Sequence, residues 1–373
     1  MARIYSLVMA MCWAIITVGH CSDLIDYRKA LDIFINYSEA RTNTGSLSDE
    51  LKFVSFMRDF NKVYSGRVEL FNRLNHFKSN LDKVDILDKG DRGTAKYGIT
   101  KFADHSEEEL GSYAGLKFNA PPHLLTAQLQ EDESFEEANS DTIDEHNRAP
   151  AHFDWRLRGV VTPVKNQGRC GSCWAFSAVG CVEAHHAIKT KQLVTLSEQQ
   201  LVDCDEKNAG CMGGFMHDAF QYMMDVGGLE VSSDYPYVGN TDPSHKHHCD
   251  VSKVNQSSLV KVVSYSNITG GEEDMKRYLY QHGPLSIAIN ANSLYFYREG
   301  IIDMDATLCH PMGVNHGVLL VGYGQESHDG EIVPYWIIKN SWDSTWGEEG
   351  YFKVRRGRNI CGVATLVSGV ETD

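Results

Sequence analysis

Cys170 and Cys173 stand three residues apart in the stretch NQGRCGSCWAFS, residues 166–177, with an apolar run behind them. Three chemistries can use such a pair. A redox Cys-x-x-Cys normally sits in a small βαβ unit. Here further cysteines follow downstream, which suits Cys170 better as a bridge partner. A zinc site needs about four ligands. The nearest candidates are His185, His186 and the group His245, His247, His248 and Cys249. None has a paired spacing that matches the two cysteines, and the histidine group reads as a polar loop. The third chemistry is nucleophilic attack. The thiolate is the reactive form, and a free cysteine with pKa ~8.5 is mostly protonated at neutral or acidic pH. A helix N-terminus and a neighbouring protonated histidine both lower that value. Cys173 opens the proline-free apolar stretch Trp174–Lys189, which reads as a buried helix. The histidine has to come from far along the chain.

The elements that must position these groups change character along the sequence. Between Leu51 and Leu87 there is no proline, and Leu70, Leu74, Phe77, Leu81 and Val84 recur at helical spacing as one core-facing stripe, so residues 23–118 read as mostly helical. Residues 119–149 open with Pro121 and Pro122 and run acidic through Glu131, Asp132, Glu133, Glu136 and Glu137. Lys or Arg is absent from 118–147, so the segment reads as a solvated linker open to proteases. From 150 onward helical signals come first, with Ser197-Glu-Gln-Gln200 fitting a capping box. After about residue 258 strands dominate: LVKVVSY, PLSIAIN, GVLLVGYG, YWIIKN and GYFKVRR. A helical half followed by a strand-rich half predicts an α+β fold of two lobes, with a ligand site in the cleft between them.

CGSCW around Cys173 is the local signature of papain and the cathepsins, and the match continues. Gln167 stands six residues before Cys173; VNHGVLLVGYG holds His316 at the head of a strand; YWIIKNSWDSTWGEEGYF holds Asn340 and Trp342. His316 lies 143 residues after Cys173 and Asn340 167 residues after it, the extra length fitting a longer hairpin at Gln325–Val333. Residues 150–373 therefore resemble a papain-like cysteine protease. Upstream, Glu69, Arg73, Phe77, Asn80 and Val84 fall at the spacing of a cathepsin L-like propeptide, with Asp88 where the pattern ends in Asn. Gly98, Thr100, Phe102 and Asp104 resemble the second propeptide motif, with Thr in place of its Asn, and YGITKFAD is similar to cathepsin F-type proregions. The resemblance implies a papain-like fold, with a helical left lobe and a β-barrel-like right lobe flanking the cleft, preceded by a mainly helical propeptide. The expected organisation is a signal peptide over 1–21, a helical inhibitory propeptide over 22–118, an acidic linker holding the activation cleavage region over 119–149, and a mature domain over 150–373.

The resemblance also implies roles. Cys173 is the nucleophile. His316 holds the proton as imidazolium and delivers it to the leaving amine. Asn340 orients the ring, and Trp342 covers that bond from water. Gln167 and the Cys173 N–H form the oxyanion hole. A thiol pKa of ~3–4 keeps such a site active in acid. Gly213 and Gly214 present backbone to an extended peptide. Phe215, Met216, Ala288, Val314, Gly317 and Leu366 line the pocket for the side chain two before the cut, and their apolar or small character predicts Leu, Val or Phe there over Arg. With no insertion resembling the cathepsin B occluding loop, an endopeptidase is expected. The implied disulfides are Cys170–Cys211, Cys204–Cys249 and Cys309–Cys361, with Cys181 left as a buried thiol. The implied partners are peptide substrates, the chain's own propeptide and cystatin-type inhibitors, acting on a monomer with no cofactor and no metal.

Composition bounds the rest. The 373 residues are 42% hydrophobic with a net charge of −15, and the acid excess holds in both halves, with 17 basic and 24 acidic side chains over 1–150 and 18 and 26 over 151–373. Nucleic-acid and anionic-lipid surfaces are disfavoured. The apolar run Ile4–Val18 after a single Arg reads as a secretory signal, with lysosomal or extracellular destinations. Sequons at Asn36, Asn255 and Asn267 fit glycosylation. Two rival readings stand beside the peptidase: a binding or inhibitory protein on a dead protease fold, which Ser or Gly at 173 would have favoured, and acyl or glutamyl transfer by a related cysteine–histidine site.

Overall fold

The computed structural model describes residues 24–40, 48–116, 149–239, 248–255 and 259–373. The expected signal peptide and almost all of the acidic linker lie outside these residues. Packing divides the chain into two compact units: residues 1–83 with 101–106, and residues 84–100 with 107–373.

The first unit is helical. Helices α1 (Tyr27–Ala40) and α2 (Ser48–Asp59) pair, and α3 (Arg67–Gly90) follows. Of the apolar stripe on α3, Leu70, Leu74 and Phe77 are buried, while Leu81 and Val84 near its end are only half-buried. Phe77 packs on Phe53 and Phe56 at ring-centroid distances of 5.2 and 5.3 Å. So small a unit has little core, and polar anchors supplement it. Asn80 Nδ2 donates to the carbonyls of Ala103 and His105 at 3.0 and 2.9 Å, and Arg73 Nη1 to that of Asp104 at 3.1 Å. The buried Asp104 carboxylate accepts from Lys62 Nζ and Tyr64 Oη, both at 2.8 Å, and meets His105 Nδ1 at 2.9 Å. Glu69 accepts from Ser65 N and Oγ, and Phe102 is fully buried.

The second unit holds helices α4 (Glu107–Gly111), α5 (Cys173–Thr190), α6 (Glu198–Cys204), α7 (Met216–Val226) and α8 (Gly271–Gln281). Strand β1 (Lys96–Tyr97) is followed by β2 (Phe153–Asp154), β3 (Val262–Asn267), β4 (Leu285–Ile289), β5 (Tyr297–Glu299), β6 (Ile301–Ile302), β7 (His316–His328), β8 (Glu331–Lys339), β9 (Tyr351–Arg355) and β10 (Val367–Thr372). The sheet runs β3-β10-β4-β7-β8-β9-β6, with β2 on β7, and is antiparallel except for β6 on β9. No ladder among the described residues joins β3 to β6, so the barrel-like lobe is an open sheet. The five strand runs read from sequence all form; β10 joins them and inserts between β3 and β4. The long hairpin β7–β8 turns at Asp329 and Gly330, both at positive φ as a tight two-residue hairpin turn requires.

Helix α5 is buried along most of its length because it lies against β7. Ser177 Oγ donates to Val318 O at 2.7 Å, and a Cβ at Gly180 would meet Leu319 at 3.1 Å. The capping box ahead of α6 is half formed. Ser197 Oγ accepts from Gln200 N at 3.0 Å, but the Gln200 side chain takes Glu230 N instead of reaching back. The disulfides Cys170–Cys211, Cys204–Cys249 and Cys309–Cys361 form, and Cys181 is a buried free thiol. Packing and composition place a boundary differently. Residues 92–100 hydrogen-bond along 295–303 through Arg92 N to Asp303 O, Thr94 N to Ile301 O and Gly98 N to Phe296 O, and β1 pairs with β5. They therefore pack with the strand-rich region although they precede the linker.

The Asp104 site carries a pH prediction. Burial alone would raise its carboxyl, but the His105 hydrogen bond and the Lys62 charge outweigh it and hold the group well below the usual carboxylate range. A depressed carboxyl stabilises the fold above its unfolded pKa of ~3.9, and this is lost as pH falls toward the folded value. In a Cys173→Ala chain, Asp104→Asn is expected to lower hydrogen-exchange protection over 48–83 at pH 7, with the difference shrinking near pH 3. Removing one partner of a buried pair costs ~3–5 kcal/mol. Equal protection of both chains at pH 7 would contradict the assignment.

Candidate active site

Cys173 is the first residue of α5, so its thiol sits where that helix's unpaired N–H groups point. Ser172, the N-cap, does not cap with its side chain; its hydroxyl meets Tyr237 Oη at 2.8 Å. His316 is the first residue of β7, paired with Ile289 on β4, and the backbone amide of the adjacent Gly317 hydrogen-bonds the Cys173 thiol. A Cβ at Gly317 would meet the Cys173 carbonyl at 3.1 Å and Met216 Sδ at 3.3 Å, so a glycine here lets strand and helix close up. Asn340 follows the last residue of β8. Its Oδ1 bonds His316 Nε2 at 2.8 Å and accepts from Ser341 N at 2.8 Å. Trp342 is fully buried, its ring 4.8 Å from that of His316 and stacked on Tyr295 at 5.0 Å.

Gln167 is also fully buried. Its Nε2 donates to Cys170 O at 2.7 Å and Tyr113 O at 3.1 Å, its Oε1 accepts from Ser341 Oγ at 2.6 Å, and its backbone N–H donates to Ser341 O at 2.9 Å. Gln167, Ser341, Asn340 and His316 thus form one chain of hydrogen bonds that ends beside Cys173. Ser341 lay inside the motif quoted above, but its place in this chain depends on Gln167, 174 residues away in sequence. Behind this chain, Lys165, Glu183, Glu198, Lys339, Asn340 and Ser341 help line a cavity of about 20 Å³. Lys165 Nζ meets Glu183 Oε1 at 2.6 Å and also bonds Glu198, and Lys339 Nζ donates to Thr162 Oγ1 at 3.0 Å. Burial pulls the Lys339 ammonium down to about 8.

The peptide-contact candidates gather in front. Met216, Ala288, Val314 and Leu366 share one buried apolar cluster, Phe215 packs on it, and Leu116 of the proregion belongs to it. Gly214 N donates to Gly115 O at 2.8 Å, Leu116 N donates to Asn315 O at 3.0 Å, and Leu116 bridges Gly214 in parallel. Gly213 adopts φ 106°, left-handed territory that suits glycine. Gly115 N lies 3.2 Å from Cys173 Sγ.

Covered in this way, the pair is pushed toward neutrality. Burial raises the Cys173 thiol against the pull of the Gly317, Gly115 and Trp174 amides. Burial also lowers the His316 imidazole to about 4, against the Asn340 side chain and the Tyr113 carbonyl. The thiolate–imidazolium pair expected from sequence is therefore not the favoured state of this closed form. The three sequon asparagines are exposed, and Asn267 Oδ1 contacts His217 Nε2 and Ser368 Oγ. His185 Nε2 meets Pro284 O at 3.0 Å, and among the described residues no cluster of three His, Cys, Asp or Glu side chains could hold a metal.

The family model for papain family cysteine proteases matches residues 149–370, and that for the cathepsin propeptide inhibitor domain (I29) matches 53–110. Cathepsin F of Drosophila melanogaster is 39% identical over 321 residues, covering 85% of this chain and 49% of that protein. Cathepsin F of Mus musculus is 41% identical over 316 residues, covering 85% of this chain and 63% of that protein. The chain thus spans from about half to under two thirds of the length of these relatives. The solved structure of digestive procathepsin L 3 from Tenebrio molitor larval midgut matches with TM-score 0.68 at 35% identity, over 88% of this chain and 100% of that one. Matched across both its proregion and its two-lobed domain, the chain belongs to the papain family of cysteine proteases and carries a cathepsin-type propeptide inhibitor domain.

Proposed function

We propose that the chain is the precursor of a cysteine endopeptidase, held inactive by its own proregion and made in the secretory pathway for a lysosomal or extracellular destination. One observation carries the reading. The proregion backbone covers both the nucleophile and the oxyanion donor: Gly115 N–H points at Cys173 Sγ while Tyr113 O takes the Gln167 Nε2 hydrogen. Three disulfides fit an oxidising compartment. No described helix is long and apolar enough to cross a membrane.

Once residues 113–116 leave, water reaches the pair and burial no longer opposes charge, so proton transfer from Cys173 to His316 becomes favourable. The Cys173 sulfur attacks the peptide carbonyl carbon. The carbonyl electron pair moves onto oxygen, which takes the Gln167 Nε2 donor and the Cys173 N–H. Collapse breaks the C–N bond, and the leaving amine takes its proton from the His316 imidazolium. Water, deprotonated by neutral His316, then cleaves the thioester. Asn340 holds the ring through Nε2, leaving Nδ1 for these transfers, and Trp342 shields that bond. A buried leucine, Leu116, already shares the cluster of Met216, Ala288, Val314 and Leu366, which supports an apolar residue two before the cut. The mature enzyme acts as a monomer, is open to cystatin-type inhibitors, and arises by cleavage around residues 145–151 in acid.

Three outcomes test this. Gln167→Ala is expected to lower kcat by ~10²–10³, and Cys173→Ser to abolish peptide hydrolysis and labelling by a thiol-directed epoxide. Among peptides differing only two before the cut, Leu should be cleaved faster than Arg by at least about tenfold, since the pocket leaves a cation unpaired, and Leu366→Glu should narrow or reverse the ratio. Faster cleavage of the Arg peptide by the unmodified enzyme would refute the pocket. In the precursor, a Cβ at Gly115 would lie 1.8 Å from Gly171 O. Gly115→Val should therefore speed alkylation of Cys173 at pH 7; an unaltered rate would show that the crossing does not protect the thiol.

A further inference from the structure

Arg169 stands in the loop between Gln167 and Cys170, and no step above uses it. Its side chain is half-exposed, and its one ion pair among the described residues is with the proregion: Nη2 lies 3.2 Å from Glu109 Oε1. Glu109 belongs to α4, four residues before Tyr113. The proregion from 116 back to 109 marks the path a substrate would follow. Leu116 lies in the apolar cluster assigned to the residue two before the cut. Gly115 N lies 3.2 Å from Cys173 Sγ, and Tyr113 O takes the Gln167 Nε2 hydrogen. The Tyr113 ring packs edge-on against Trp342 at 6.4 Å, beside the imidazole that hands its proton to the leaving amine. Beyond Tyr113 the path is therefore on the leaving-group side. The loop that carries Arg169 borders that side, because Asn166 bridges Trp342. We propose that Arg169 is a specificity-determining residue: once the proregion has left, it pairs with a substrate carboxylate at the second or third residue after the cut. Glu109 holds the place of that carboxylate in the precursor. This rests on the peptidase reading.

The reach follows from backbone dimensions. A helix advances ~1.5 Å per residue and an extended chain ~3.3 Å. The turn of chain between Glu109 and Tyr113 therefore covers about the span of two extended residues. A substrate strand that leaves the oxyanion donor comes level with Arg169 at its second or third residue. The pair is partly solvated, so its contribution is small and falls with salt. It sets a preference among substrates and leaves the chemical step to Cys173 and His316. The guanidinium presents several donors in a planar fork, which suits a carboxylate and repels an ammonium.

The test uses the matured enzyme and quenched peptides with Leu two before the cut and Glu, Gln or Lys at the second or third residue after it. At pH 6 and low salt, kcat/KM is expected to be about two- to fivefold higher for Glu than for Gln at one of those positions. That ratio should approach one in about 0.5 M salt, and again as pH falls below ~4.3, where the substrate carboxyl takes up its proton. Arg169→Gln should remove the preference, Arg169→Lys should keep most of it, and Arg169→Glu should turn it toward the Lys peptide. If the variants do not accumulate, the salt and pH series on the unmodified enzyme decide. Equal cleavage of the Glu and Gln peptides by the unmodified enzyme, a ratio that salt does not change, or a preference that survives Arg169→Gln would overturn the inference while leaving the peptidase reading intact. A matured, correctly folded parent enzyme that hydrolyses none of the peptides would overturn both.

Discussion

The packing of helix α5 against strand β7 is the constraint from which the site follows. Cys173 and His316 are each the first residue of their element, separated by most of a domain in sequence. Their elements close up because Gly180 lets Leu319 approach the helix and because Ser177 bonds Val318 O inside the interface. An added side chain at 180 or 317 would have to displace neighbours at 3.1 Å. The disulfide Cys170–Cys211 ties the loop before the helix to the loop that carries Gly213 and Gly214. Cys173, His316 and the Gly213–Gly214 backbone are thereby set by one interface, with the Lys165, Glu183, Glu198 and Lys339 cluster behind it.

The same interface explains why one set of residues can be reactive or inert. A thiol and an imidazole that are both fully buried share the desolvation cost of becoming charged, and here that cost prevails. The proregion needs no special chemistry to silence the pair. It supplies a strand that excludes water and offers a carbonyl and an amide to groups that would otherwise face substrate.

Much of this was legible in the sequence, for identifiable reasons. The buried helix and five strands were written in apolar runs that survive folding unchanged, while the three disulfide pairings came from the resemblance to the family alone. The stripe on α3 was readable because Leu70, Leu74 and Phe77 repeat at helical spacing. The protonation state was not legible, because it depends on what covers Cys173, and residues 113–116 carry no local signal of lying there. The bond from Ser341 to Gln167 was not legible either, because its partners lie 174 residues apart in sequence. The grouping of 84–100 with the later residues was hidden for a related reason: pairing of β1 with β5 leaves no trace in composition. The half-formed capping box shows the converse, a local pattern overridden when Gln200 found Glu230 N.

The inhibitory strand hydrogen-bonds through main-chain atoms: Tyr113 O, Gly115 N and O, and Leu116 N. Such contacts are indifferent to side-chain identity except where shape intervenes, at the Tyr113 ring packed edge-on against Trp342, at the glycine that crosses Gly171 and at the leucine in the apolar cluster. Those three positions would therefore bear nearly all of the selective pressure on this strand, leaving Ala114 wide latitude to vary over evolutionary time without loss of dormancy.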